Sequence, residues 1–331
     1  MPPRTGVAVA AGRQIPKTRT SVSPRRAFVV GTRGSRLALR QTELVLELLR
    51  ARYQELRFAV REVRTEGDRR PDEPLSRIGG QGVFVKELEA ALLRGEVDLA
   101  VHSLKDVPAE LADGLTLAAM PERGDPRDAL IARDGATLAE LLPGARVGTG
   151  SARRAVQLRA LRPDLAPVEI RGNVDTRVRK VDEGDVDAVV LASAGLERLG
   201  LLARASELFP LDVMLPAVGQ GALAVEARAG DAEVLELLAA IDHRETRLVC
   251  EAERSFLRRL GGGCRLPFGA LAEVEGATLR ARGFISDGDG AQLLRAEVSG
   301  PAVEAEDIGV RLAERLLAQG AAAFVEAAQA S

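Results

Sequence analysis

The apolar run Val101-His102-Ser103-Leu104 ends in an ionisable pair, Lys105 and Asp106, immediately before Val107-Pro108. A carboxylate at such a place can stabilise a developing cation or relay a proton, although a Lys-Asp pair before proline also makes an ordinary exposed turn. Two other segments, Gly31-Thr32-Arg33-Gly34-Ser35 and Gly148-Thr149-Gly150-Ser151-Ala152-Arg153-Arg154, put glycine-containing turns at helix starts. Free backbone N–H groups there favour anions. Arg171-Gly172-Asn173-Val174-Asp175-Thr176-Arg177 adds two more arginines, whose guanidinium forks pair bidentately with carboxylates. Cys264 closes the run Gly261-Gly262-Gly263, a loop that lets other atoms approach closely. Cys250 sits inside a helical run and reads as a small core hydrophobe, and His102 as a structural residue near a strand end.

Composition narrows the chemistry. Of 46 basic residues only Lys17, Lys86, Lys105 and Lys180 are lysine, which leaves 42 arginines. A GC-rich coding bias gives the same excess as carboxylate recognition, so position must separate the two. Residues 1–27 hold six cations and no acid, so the formal charge of −2 becomes −8 for the remainder. An acidic body argues against a nucleic-acid partner. Two cysteines and two histidines are too few for a disulfide framework or a Cys/His metal site, and they suit a reducing, cytoplasmic compartment. No apolar run is long enough to span a bilayer.

The elements that must position these residues follow from periodicity. The 331 residues suit two or three domains. Residues 1–27, with four prolines and no amphipathic period, read as a disordered basic extension or a transit segment. From Phe28 onward short β-rich runs alternate with amphipathic helices: a strand at Phe28–Gly31, a helix capped by Ser35, a strand at Leu56–Val63, a helix over 83–94 and a strand at Leu99–Leu104. Residues 94–101 match 183–190 in character, and 31–35 match 148–151, which predicts two α/β lobes of related build facing each other across a cleft. The lobes span 28–121 plus 217–241, and 126–216; from 244 to 331 the pattern is that of a small α+β domain. The first lobe's strand ends in Lys105-Asp106, and the second's in Ala192-Ser193-Ala194-Gly195. Ligands of open α/β sheets sit beyond the carboxyl ends of strands, so the ionisable pair is placed for chemistry. Residues 65–82, rich in glycine, proline and charge, read as a mobile loop.

Taken in order, these segments, with Leu161-Arg162-Pro163-Asp164 and Leu215-Pro216-Ala217-Val218-Gly219-Gln220-Gly221-Ala222, resemble the porphobilinogen deaminase (hydroxymethylbilane synthase) family from about residue 28 to the C-terminus. The resemblance implies two lobes like those of type II periplasmic binding proteins, a small C-terminal α+β domain, and a monomer. It also implies a dipyrromethane cofactor, made from the enzyme's own substrate, on which four porphobilinogen units condense with loss of ammonia. By match to the family, Asp106 is the catalyst and Cys264 bears the cofactor through a thioether. Arg33, Arg153, Arg154, Arg171 and Arg177 bind acetate and propionate groups, with Ser35, Ser103, Lys105, Thr149 and Ser151 adding hydrogen bonds. Two positions depart from the family pattern: Gln81, in the loop the family uses as a lid, where a cation is common, and Gly261, where an acid is common. A solute-binding protein of the same two-lobed build, or another carboxylate enzyme without a covalent cofactor, stays open as an alternative.

Overall fold

The computed structural model describes residues 27–65, 82, 85–261, 266–288 and 290–329. The basic extension, all but Thr65 and Gly82 of the loop over 65–82, and Cys264 itself therefore lie outside the described residues.

The first sheet is built from β1 (Ala27–Thr32), β2 (Arg57–Glu62), β3 (Leu99–Ser103) and β4 (Leu115–Ala119). The second holds β5 (Asp128–Ala132), β6 (Arg146–Gly148), β7 (Ala166–Val168), β8 (Ala188–Ala192) and β9 (Glu207–Leu208). The chain then returns to the first sheet as β10 (Leu223–Arg228), and β11 (Phe268–Glu275), β12 (Thr278–Ser286) and β13 (Leu293–Pro301) form a third, antiparallel sheet. Strand orders are β2-β1-β3-β10-β4 and β7-β6-β8-β5-β9, so the two lobes share one pattern. The paired segments that suggested a repeat occupy matching places, leading into β3 and β8 or following β1 and β6.

In each sheet the fourth strand is antiparallel and arrives straight from a crossing between lobes. Leu223, at the start of β10, pairs with Ser103 at the end of β3, and Asp128, at the start of β5, pairs with Ala192 at the end of β8. Both crossings therefore run past the carboxyl ends of the central strands, where the site lies.

The helices are α1 (Arg36–Arg52), α2 (Lys86–Leu93), α3 (Ala152–Leu161), α4 (Val174–Asp182), α5 (Ser193–Arg198), α6 (Ala232–Ala239), α7 (Arg244–Arg259) and α8 (Ala305–Leu316), followed by a terminal helical segment. Helix α1 shows why local sequence suffices for its placement. Ser35 Oγ accepts the Ala38 N–H at its start, and Ala38, Thr42, Val45, Leu46 and Leu49 make one buried stripe. Each of these leucines contributes on the order of 1.5–3 kcal/mol by leaving water. Strand β2 differs from expectation in burial. Its alternation suggested a half-buried strand, but it is the sheet edge, paired only to β1, and five of its six residues are exposed. Helix α7 ends at Arg259 with Leu260 as its C-cap, and Gly261 follows with φ 95°, a left-handed value that favours glycine. Glycine at this departure from the family pattern thus terminates the helix leading into the Cys264 loop.

The largest apolar cluster joins the third domain to the site. Val249, Cys250, Phe256 and Leu257 of α7 pack with Leu104, Val107 and Ala109 of the first lobe and Val218 and Ala222 of the return crossing. A buried carboxylate, Glu253, fastens both crossings to this domain. It pairs with Arg123 of the outward crossing (Nη1–Oε1 2.7 Å) and accepts the Gly219 N–H of the return crossing (2.7 Å) and the Ala272 N–H of β11 (2.9 Å).

Candidate active site

Lys105 and Asp106 lie on a 3-10 turn, Leu104–Asp106, directly after β3. Both are half-buried, and neither makes a hydrogen bond or ion pair among the described residues. The lysine is pulled down to about 8, by burial first and then by repulsion from Arg154, with attraction to Asp106 opposing it. Arg177, on α4 of the second lobe, is lowered to about 10 by burial and by repulsion from Arg154 and Arg171, again opposed by Asp106. Residues from both lobes therefore share one electrostatic neighbourhood: Lys105, Asp106, Arg153, Arg154, Arg171 and Arg177.

At the start of α3, Ser151 Oγ accepts the Arg154 N–H (3.4 Å) and Thr149 Oγ1 accepts the Ser151 N–H (3.2 Å). These hydroxyls and that of Ser35 act as acceptors in the caps and keep their O–H free to donate. Ser103 is different: it both donates to and accepts from the buried Gln41 side chain. Arg33 is half-buried at the carboxyl end of β1. Arg177 Nε donates to the Gly172 carbonyl (2.8 Å) within its own loop. Arg198 donates to the Gly221 carbonyl (2.6 Å) at the return crossing.

The arginine pair is held by a residue that sequence reasoning missed. Asp128 is fully buried; Oδ1 accepts from Arg154 Nε (3.0 Å) and Nη2 (2.7 Å) and from Gln220 Nε2 (2.9 Å), and Oδ2 lies 2.8 Å from Arg153 Nη2. These cations and the amide hold its carboxyl down at about 2, against the opposing effect of burial, which is the largest influence on it. Arg153 also donates to the Leu215 carbonyl (2.6 Å) and Arg154 to that of Val190 (3.0 Å). The available signal was an acid heading an apolar strand, Asp128-Ala129-Leu130-Ile131, which demands a buried cation. Removing one partner of a buried ion pair destabilises by about 3–5 kcal/mol. Asp128→Ala, which leaves two arginines uncompensated, is expected to lower the unfolding free energy in urea by that amount; a loss under about 1 kcal/mol would show the arginines re-paired.

A cavity of about 210 Å³, open to solvent, lies where the three domains meet. Lys105 and Val107 line it from the first lobe, Ser151 and Arg153 from the second, and Leu257, Leu266 and Phe268 from the third. Arg153 Nε is buried without an acceptor among the described residues. Among the described residues of this neighbourhood, Lys105, Arg153, Arg154 and Arg177 outnumber the carboxylates Asp106 and Asp128. Those cations and unused donors fit a ligand bearing several carboxylates, as dipyrromethane does. Burial pushes the Cys250 thiol up to about 12, so that cysteine is an inert part of the core. Among the described residues there is no cluster suited to a metal ion, and no helix is long and apolar enough to cross a membrane.

Two α/β lobes of matching strand order, a cation-rich cleft between them and a third α+β domain against it define a two-lobed α/β protein whose cleft suits an anionic ligand. Residues 28–236 match the family model for the porphobilinogen deaminase dipyromethane cofactor binding domain, and residues 247–318 match that for the porphobilinogen deaminase C-terminal domain. A porphobilinogen deaminase of Roseiflexus sp. (strain RS-1) is 53% identical over 301 residues, covering 91% of this chain and 99% of the relative. One of Desulforudis audaxviator (strain MP104C) is 53% identical over 297 residues, covering 90% and 96%. The chain belongs to the porphobilinogen deaminase family. Its reaction is the transferase chemistry of hydroxymethylbilane synthesis: four porphobilinogen units join head to tail, with loss of four ammonia, on a dipyrromethane cofactor.

Proposed function

We propose that Asp106 is the catalytic carboxylate, that Cys264 carries the dipyrromethane through a thioether, and that Lys105, Arg33, Arg153, Arg154, Arg171 and Arg177 hold its carboxylates and those of porphobilinogen, with Ser35, Thr149 and Ser151 donating hydroxyl hydrogen bonds. The observation that carries this reading is the contrast between the two carboxylates of the cleft. Asp128 is sealed and fully engaged with Arg153, Arg154 and Gln220, whereas Asp106 is half-buried and uncommitted. Only the uncommitted carboxylate can meet a charge that arises during the reaction. As ammonia leaves porphobilinogen, positive charge develops on the substrate pyrrole, and a carboxylate beside the ring nitrogen stabilises it and can take up its proton. The bound dipyrromethane supplies the free pyrrole α-carbon to which the first unit is joined. Support for Cys264 comes from Leu266, two residues on, which lines the same cavity as Lys105 and Arg153. Ser103, bonded in both senses to Gln41, holds the end of β3. The chain works as a cytoplasmic monomer.

Within this set Lys105 offers a test by pH. Its ammonium holds a ligand carboxylate fully below about 8, and that contribution declines as pH rises through this value. The KM for porphobilinogen is therefore expected to climb from pH 8 to pH 9.5 more steeply in the parent than in Lys105→Gln, which should also bind severalfold more weakly at pH 7. Parallel KM profiles for the two proteins would remove Lys105 from the carboxylate-binding set.

A further inference from the structure

Arg254, on α7 of the third domain, is only 5% exposed and makes no ion pair among the described residues. Its Nη2 instead donates to two main-chain carbonyls, those of Pro108 (2.8 Å) and Ala109 (2.9 Å). Burial, then repulsion from Arg258, lowers its guanidinium to about 10. Glu226 attracts it from a distance without pairing with it, and placing an arginine with no direct ion pair in an apolar cluster is unfavourable. A methionine or leucine would fill the space without that penalty, so the guanidinium must do something a hydrophobe cannot.

What it does is visible in the segment it grips. The chain leaves the Lys105-Asp106 turn through Pro108, whose neighbours Val107 and Ala109 belong to the cluster shared with α7. The carbonyls of half-buried Pro108 and buried Ala109 need donors. Proline 108 confines Val107 to extended backbone, observed at φ −80° and ψ 129°. On the other side of the turn, Leu104 N–H donates to the Ala222 carbonyl (3.0 Å) and Leu104 packs on Gly219, where an added Cβ would lie 2.7 Å from Leu104 Cγ. Within the turn, Val107 N–H donates to the Leu104 carbonyl (3.0 Å). The catalytic turn is thus clamped upstream by the return crossing and downstream by a side chain of the third domain.

We propose that Arg254 is a positioning residue for the reaction: by holding the Pro108 and Ala109 carbonyls it makes the third domain set the orientation of Asp106. The proposal rests on the reading of Asp106 as the catalyst. Its consequence is that the domain leading into the Cys264 loop also orients the carboxylate, so that the two halves of the chemistry are registered by one helix.

The test compares Arg254→Met, Arg254→Lys and Asp106→Asn as purified holoenzymes, reading kcat, thermal midpoint and hydrogen exchange of the peptide spanning residues 104–112. Lysine keeps an ammonium donor; methionine keeps only the volume. Arg254→Met is expected to lose at least tenfold in kcat, with faster exchange in 104–112 and a midpoint within a few degrees of the parent. Arg254→Lys should regain part of the lost kcat and exceed the methionine variant severalfold, since its shorter stem still brings an ammonium donor toward the carbonyls. Were Arg254→Met not to fold, Arg254→Gln, too short to reach the carbonyls, gives the same readings. Unchanged kcat in the methionine variant, unchanged exchange over 104–112, or a lysine variant as slow as the methionine one would overturn the positioning role. An active Asp106→Asn would instead overturn the underlying assignment, whatever the Arg254 variants do.

Discussion

Asp106→Asn is expected to lower turnover by about three powers of ten or more while leaving the circular dichroism spectrum and thermal midpoint of the protein unchanged. The magnitude follows from charge alone. A unit charge pair at about 4 Å with an effective dielectric near 20 is worth roughly 4 kcal/mol, and each 1.36 kcal/mol is about a factor of ten in rate. The asparagine keeps size and an acceptor oxygen but cannot neutralise the cation or take a proton. Because Asp106 makes no hydrogen bond or ion pair among the described residues, its replacement should not loosen the fold. The cleft would become more positive by one unit, so substrate carboxylates should bind no more weakly, and KM is expected to stay within a fewfold of the parent. Turnover within tenfold of the parent, in a folded protein, would remove Asp106 from the catalytic role.

Cys264→Ser should be as severe for a different reason. A serine hydroxyl is a far poorer nucleophile than a thiolate and would leave the chain without its covalent anchor. The result expected is a folded protein with no measurable hydroxymethylbilane synthesis. The control is Cys250→Ser, which removes the other thiol. Cys250 is buried in the α7 cluster and its thiol is held un-ionised, so this change should reduce stability modestly and leave turnover per folded molecule intact. If Cys264→Ser kept full activity, or if the two replacements were equally damaging in folded protein, the anchor would lie elsewhere.

The parts of the fold that were legible in the sequence are those fixed by local rules. The Ser35 cap and the glycine turns before β3 and β8 read correctly because each depends on residues a few positions apart. The repeated lobe pattern followed from them. The alternation in Leu56–Val63 named a strand but could not say that it lies at the sheet edge, which depends on where four other strands go. The return of 217–241 to the first lobe was expected, but the antiparallel pairing of β10 with β3 and of β5 with β8 is set over long sequence distances and left no local mark.

The site divides the same way. Asp106 stood out because its strand ends in charge where the sister strand does not. Asp128, Glu253 and Arg254 were missed because each matters only through partners 20 to 150 residues away: Arg154, Arg123 and Pro108. Family motifs do not sort catalysis from scaffolding either. Arg162, within one of the matching stretches, pairs with Asp164 (2.6 Å) and donates to the carbonyls of Leu138 and Leu141, which makes it a staple of the second lobe remote in role from the cleft.

The most direct test is the intact mass of the purified parent protein, followed by peptide mapping. The result expected is an excess mass equal to one dipyrromethane, carried by the peptide that contains Cys264 and absent from Cys264→Ser. A bare polypeptide with full activity, or an adduct mapped to Cys250, would contradict the assignment of Cys264 as the anchor that brings the growing chain to Asp106.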